Sequence, residues 1–202
     1  MKRLLFITII VLAIAIGGYN VGNIILKNFG YVTKSGEKVE FYYNNALEAI
    51  NREDYEKARD ILEIAIEIDA KNKKLNILLG DVYLKLNEPI VAITQYENAF
   101  SPPNDITQDD IEKVFLLTKL YLKNKKLKKE IEFKDRIKKA LTYYKKILNL
   151  LPMNERALLG LSICYIKLEE FKEAKKYLEK IINNGKDYKY VESAKEILRQ
   201  LK

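Results

Sequence analysis

The chain has 202 residues, of which 48% are hydrophobic and 32% are charged, and its formal net charge is +8. A chain of this size and composition can bury a substantial core, and the low numbers of glycine (8) and proline (4) are typical of a helical protein. The absence of histidine removes the commonest general base and a frequent zinc ligand. The single cysteine allows no internal disulfide.

The chain opens with an apolar segment. Lys2 and Arg3 precede residues 4–16, among which Thr8 is the only polar side chain, and the apolar pattern returns up to Leu26. As a helix, residues 4–26 would be roughly 34 Å long, which is enough to cross a bilayer. We predict an uncleaved signal anchor, a transmembrane helix within residues 1–27. A cleaved secretory signal is one alternative, because small residues stand near Ala13, Ala15 and Gly17. A membrane-adjacent helix that is neither an anchor nor a cleaved signal is the other.

The basic N-terminus favours the cytoplasmic side of the membrane. We therefore predict a single-pass protein of the cytoplasmic (inner) membrane, with the rest of the chain on the extracytoplasmic, periplasmic side. Three later lysines, Lys27, Lys34 and Lys38, weaken this charge asymmetry, so a cytoplasm-facing domain remains the alternative. Residues 28–38 are predicted to be a polar linker.

Small residues then recur at a fixed spacing. Ala46 and Ala58 recur as Gly80 and Ala92, both shifted by the same number of positions, and the spacing within each pair recurs further along the chain. The shift matches the period of about 34 residues that is typical of one class of helix–turn–helix repeat, in which a small residue lets two paired helices approach closely. The predicted packing positions are Ala46, Ala58, Gly80, Ala92, Ala140, Ser162 and Ala174.

This pattern resembles the tetratricopeptide repeat (TPR) family. The matching residues are Leu79-Gly80-x-x-Tyr83 with Ala92, and Leu161-Ser162-x-x-Tyr165 with Ala174. The resemblance implies an all-α fold, a right-handed superhelical solenoid of about four helix pairs. The repeats are placed at residues 39–72, 73–106, 111–154 (with an insertion near 123–137) and 155–188, followed by a capping helix over 189–202. Repeats one and three depart from the pattern, at Ala49 and Glu130 respectively.

Charge is distributed unevenly along the repeats. Residues 39–72 carry nine acidic and four basic side chains, whereas residues 119–146 carry twelve basic and three acidic side chains. The basic stretch is predicted to lengthen the second helix of repeat three, and it includes a basic patch of Lys125, Lys126, Lys128 and Lys129. One interpretation is a solvated helix end, and the other is an electrostatic dock for anionic lipid or an acidic protein. Nucleic acid is a poor match, because arginine is scarce and no aromatic platform interleaves the lysines.

The TPR resemblance also implies a concave groove lined by the first helix of each repeat. The face transferred to this chain is mostly apolar: Tyr43, Leu47, Ile50, Ile77, Asp81, Leu84, Phe115, Lys119, Leu122, Leu159, Ile163 and Ile166. Tyr43, Leu47 and Leu78 stand where some relatives use lysine and asparagine to clamp a chaperone's C-terminal carboxylate. The groove therefore suits an amphipathic helix or an apolar segment of a protein partner. Individual residues could instead pack against a neighbouring repeat.

No combination of residues predicts an enzyme, a cofactor or a metal site. Cys164 is predicted to be a buried structural residue, and the acidic pairs at residues 53–54 and 169–170 fall in turns. The resulting prediction is a membrane-anchored scaffold of bacterial type that binds another protein in a cell-envelope assembly. Envelope biogenesis, secretion and a periplasmic flagellar-motor structure are all compatible with it. The alternatives are a cytoplasm-facing adaptor and an electrostatic binder of anionic partners, and the oligomeric state is not predicted.

Overall fold

The computed structural model describes residues 33–101, 106–123 and 130–201, and the regular secondary structure in these ranges is entirely helical. The predicted all-α fold is therefore confirmed for this part of the chain. Its nine α-helices are α1 Thr33–Asn51, α2 Tyr55–Ile68, α3 Lys73–Lys85, α4 Pro89–Ala99, α5 Ile111–Lys123, α6 Glu130–Leu150, α7 Glu155–Lys167, α8 Phe171–Asn184 and α9 Tyr188–Gln200.

Backbone contacts divide the chain into two units, one ending at Glu88 and the other beginning at Pro89. In the first unit, α2 packs against both α1 and α3. In the second unit, each helix from α4 to α9 packs mainly against the helices next to it in sequence. Packing between sequence neighbours is typical of repeat proteins. The pairs α1–α2, α5–α6 and α7–α8 correspond to predicted repeats one, three and four, and the unit boundary falls inside repeat two.

The turn between paired helices has the same geometry in three repeats. After α1, the N–H of Asp54 donates to the carbonyl oxygen of Ala49 at 2.9 Å, and the intervening Glu53 has a φ of 59°. This is a Schellman motif, in which the residue with positive φ ends the helix. The residues with positive φ are Glu53, Asn87 and Glu169. Their recurrence shows that the helices of these repeats end in the same phase.

Local capping fixes several helix starts. The Oδ1 of Asn72 accepts a hydrogen bond from the Leu75 N–H (3.2 Å) at the start of α3, and Asn154 caps α7 in the same way. A capping box precedes α5. The Asp110 carboxylate accepts a hydrogen bond from the Thr107 N–H at 2.7 Å, in a 3₁₀ turn that leads into the helix.

The start of one helix differs from the sequence-based prediction, and another helix is longer than its counterparts. Helix α1 begins at Thr33, inside the segment 28–38 that is predicted to be a linker, so its second half is helical. Helix α6 has 21 residues, whereas α2 and α8 have 14 each. The part of the insertion from Glu130 onwards is helical and belongs to α6, the second helix of repeat three.

At the C-terminus, α9 lies on α8 and also contacts α7. Its buried Ala194 joins Leu158, Leu178 and Ile181 in one apolar cluster. The predicted transmembrane helix over residues 1–27 lies outside the described residues. None of the helices in the described part of the chain combines the length and apolar character that a membrane span requires.

Candidate partner-binding surfaces

The predicted groove residues of the first unit lie on α1 and α3 and are all half-buried. On α1 these are Tyr43, Leu47 and Ile50, and on α3 they are Ile77, Asp81 and Leu84. The helix pairs therefore cover part of each side chain and leave the rest accessible. Apolar side chains in this condition can contact a protein partner without first being released from the core.

In the second unit, α7 presents the corresponding apolar row. Leu159, Ile163 and Ile166 are half-buried, and Leu122 of α5 is also half-buried. Lys119 on α5 is exposed. These residues retain accessible surface and remain candidates for binding a partner.

Phe115 is predicted to line the groove, but it is a core residue with only 4% of its surface exposed. The guanidinium carbon of Arg156 lies 3.8 Å from the centre of its ring, and the Tyr144 ring lies 6.1 Å away, centre to centre. Arg156 is held in place by two hydrogen bonds to the Glu112 carboxylate, at 3.0 and 2.9 Å. Phe115 is therefore covered by an arginine from the next repeat and is not an accessible anchor.

The predicted packing positions are buried without exception. The small side chains concerned are Ala46, Ala58, Gly80, Ala92, Ala140, Ser162 and Ala174. The sequence analysis did not single out Gly160 on α7, where an added Cβ would lie closer than 3.0 Å to three ring carbons of Tyr144. The α6–α7 contact is therefore also built around a residue without a side chain.

The first helix of one repeat is joined to the second helix of the preceding repeat through a tyrosine. The Tyr121 hydroxyl donates to Glu97 at 2.7 Å, and in the first unit the Tyr83 hydroxyl donates to Glu63. Glu63 and Glu97 are separated by one repeat period, so the repeat pattern could have revealed this pairing. The corresponding tyrosine of the last repeat is Tyr165. The ammonium group of Lys145, from α6 of the preceding repeat, lies 5.8 Å from the centre of its ring.

A cleft of about 330 Å³ in the second unit is lined by residues of α4, α5 and α6 together with Phe100 and Ser101. Glu97 accepts hydrogen bonds from the Tyr121 hydroxyl and from the Lys139 ammonium, each at 2.7 Å.

The same cleft has an aromatic wall. The Tyr143 ring stacks on that of Tyr121 with ring centres 6.2 Å apart, and desolvation raises the pKa of both phenols. Both tyrosines therefore stay neutral and provide an aromatic wall. The remaining lining residues are Phe100, Ser101, Thr142 and Lys146.

The four lysines of the predicted basic patch, Lys125, Lys126, Lys128 and Lys129, lie outside the described residues. Just beyond them, α6 exposes a further row of lysines: Lys134, Lys138, Lys139, Lys145 and Lys146. Between residues 133 and 150 the sequence contains one acidic side chain, Asp135. The described part of α6 is therefore strongly basic on its solvent side.

Cys164 is buried, and desolvation raises the pKa of its thiol to about 12. The thiolate that a nucleophile or a metal ligand requires is therefore strongly disfavoured. Across the described residues, no three His, Cys, Asp or Glu side chains form a group that could hold a metal ion.

Family models for the tetratricopeptide repeat match residues 39–72 and 134–200, together half of the chain. Among solved structures, YrrB, described as a TPR protein with an unusual peptide-binding site, has a TM-score of 0.55 at 20% identity over 96% of this chain and 88% of its own. MamA (41-end) from Desulfovibrio magneticus RS-1 has a TM-score of 0.54 at 16% identity, over 81% and 93% of the two chains. At these identities the likeness shows the fold alone. No curated protein matches the sequence.

Proposed function

Because the chain belongs to the tetratricopeptide repeat family, whose members are protein-binding scaffolds, we propose that it holds a partner protein at the cytoplasmic membrane in a cell-envelope assembly. The proposed anchor is the apolar segment within residues 1–27, whose basic start favours an extracytoplasmic repeat domain. The proposed contact with the partner is made by the first helices of the repeats.

The half-buried apolar row on these helices is the observation that carries the proposal. Ile77 on α3 and Ile163 on α7 both belong to this row and keep part of their surface accessible after the helices have packed. A row of such residues on the first helices of each unit offers an apolar surface to a partner, whereas single surface apolar residues are common in any protein. An apolar peptide or an amphipathic helix has the complementary chemistry. The peptide-binding site described for YrrB is consistent with such a ligand.

The proposal is tested by affinity capture with the full-length chain from native membranes of its own cells. Ile163→Lys and Ile77→Lys place a charge within the apolar row, so partner recovery should fall at least tenfold, equivalent to about 1.4 kcal/mol. Ile90→Lys is the matched control, because Ile90 is 52% exposed and lies on α4, a second helix. Circular dichroism confirms that each variant keeps its helical content.

Loss of the same partner with both row variants, but not with Ile90→Lys, would support a binding surface on the first helices. Normal recovery with both row variants would refute the proposed contact.

A further inference from the structure

The cleft between α4, α5 and α6 combines a basic rim with an aromatic floor. Lys139 and Lys146 stand seven residues apart on α6, and Tyr143 lies between them. The Lys146 ammonium is 5.8 Å from the centre of the Tyr143 ring, and the Phe100 ring packs edge-on against the same tyrosine at 6.4 Å. The site therefore suits a partner surface that carries acidic side chains around an apolar one.

Such a surface exists on α2 of this same chain. Four acidic side chains of α2 are exposed and are spaced three or four residues apart, which places them on one side of the helix. They are Glu56, Asp60, Glu63 and Glu67. Ile64 lies among them with 44% of its surface exposed.

The side chains of the α2 acidic face and those of the cleft on α6 are separated by the same numbers of residues along their helices. From Asp60 to Ile64 is four residues, and from Ile64 to Glu67 is three. On α6 the same steps, read backwards, lead from Lys146 to Thr142 and on to Lys139. At a rise of 1.5 Å per residue, the two carboxylates and the two ammonium groups are each about 10.5 Å apart along their helices.

An antiparallel approach would therefore bring Asp60 to Lys146 and Glu67 to Lys139 at the same time. Ile64 would then lie over the floor of the cleft, beside Tyr143.

Local ion pairs do not prevent this contact. Asp60 is 2.8 Å from Arg59, and Lys139 is 2.7 Å from Glu97. The Asp60 and Lys139 side chains are 64% and 55% exposed. Their partners Arg59 and Glu97 are only 27% and 30% exposed, but each pair is open to solvent at the member that would take part in the contact. Such pairs contribute modestly to stability and can be exchanged for contacts that also bury apolar surface.

We propose that the chain self-associates head to tail, with the acidic face of α2 in one copy docked in the α4–α6 cleft of a second copy. The two docking surfaces are different, so the contact is heterologous. A contact of this kind generates closed rings or open chains of copies. It uses none of the first-helix residues proposed to bind a partner, so either proposal can fail without the other.

The test uses charge reversal in the full-length chain, purified in a non-ionic detergent and followed by sedimentation velocity. Wild type should associate with rising concentration at about 50 mM salt, and this association should be lost at about 500 mM salt. Lys139→Glu/Lys146→Glu should abolish association, and so should Asp60→Lys/Glu67→Lys. Each variant should keep its helical content, because all four side chains are exposed.

An equimolar mixture of the two variants is the decisive sample, because every acidic face then meets a basic one on the other chain and association should return. Lys172→Glu/Lys176→Glu on α8 changes the charge equally at exposed lysines and should associate as wild type does. The proposal is overturned if wild type stays monomeric at low salt, which would leave the cleft to an acidic partner protein or anionic lipid. It is also overturned if the mixture fails to associate while wild type does.

Discussion

At the residue scale, the missing Cβ of Gly160 creates the space that the Tyr144 ring occupies. Gly160→Ala should lower the free energy of unfolding by about 1–3 kcal/mol, because Tyr144 is buried and has to move. That cost exceeds the gain of up to about 1 kcal/mol in helix propensity. Gly36→Ala is the control, because a Cβ on this exposed α1 glycine meets nothing within 4 Å. Chemical denaturation should show Gly36→Ala to be the more stable of the two, and a stabilised Gly160→Ala would contradict the packing.

The three turn residues with positive φ carry side chains where glycine is normally preferred. Glu169 has a φ of 63°, and a side chain in this left-handed conformation costs roughly 1–2 kcal/mol. Glycine removes that cost but gains entropy in the unfolded state, so Glu169→Gly should stabilise the protein by about 0.5–1 kcal/mol. Glu170→Gly is a matched control with a φ of −86°. A rise in Tm restricted to Glu169→Gly is expected, and equal shifts would rule out the strained turn.

The burial of Cys164 predicts both a slow reaction of its thiol with alkylating agents and a dependence of fold stability on pH. Because the pKa in the folded protein, about 12, is above the ordinary value of 9.0, the group stabilises the fold at low pH. That contribution is lost as the pH rises from about 9 towards 12. At pH 8, raising the pKa from 9.0 to about 12 lowers the thiolate fraction roughly 1,000-fold, so alkylation of Cys164 should be slower by about that factor in the native chain than in denaturant. A cysteine introduced at exposed Ser101 should react quickly in the native chain, and rapid native labelling of Cys164 would show that it is accessible.

At the element scale, α9 closes the apolar cluster of the last repeat. Ala194 is fully buried against that cluster, so Ala194→Asp would bury an unpaired charge and should cost about 3–5 kcal/mol. Gln200→Asp adds the same charge at an exposed position of the same helix and should change stability by about 0.5 kcal/mol or less. The comparison is made by urea unfolding of the full chain. Similar unfolding midpoints for the two variants would mean that α9 does not cover the repeat.

The helices that the sequence predicts well are those specified by short-range signals. The recurring small residues act within one repeat or between adjacent repeats, and the described helix pairs follow them. Helix α1 begins earlier than predicted, because Thr33 and Gly36 give no local helix signal.

The prediction that Phe115 lines the groove is wrong, because the burial of this side chain depends on a contact that the repeat pattern does not encode. Arg156 comes from the following repeat and covers the ring in a way specific to this pair of repeats. The cleft depends likewise on side chains of three helices, of which only the lysine-rich stretch of α6 is conspicuous in the sequence.

At the scale of the whole molecule, the proposed membrane anchor makes the orientation of the chain decisive for which partners the repeats can meet. Lys2 and Arg3 precede the apolar segment, and basic residues flanking a span are retained in the cytoplasm. A reporter enzyme active only outside the cytoplasm, fused after Lys202, should therefore be active in bacterial cells. A reporter active only in the cytoplasm should be inactive at the same position.

Lys2→Glu/Arg3→Glu should reduce the difference in activity between the two reporters, because Lys27 and the lysines after it would then carry the larger positive charge. Activity of the cytoplasmic reporter alone in the unaltered chain would reverse the orientation and make the repeats a cytoplasmic adaptor at the same membrane.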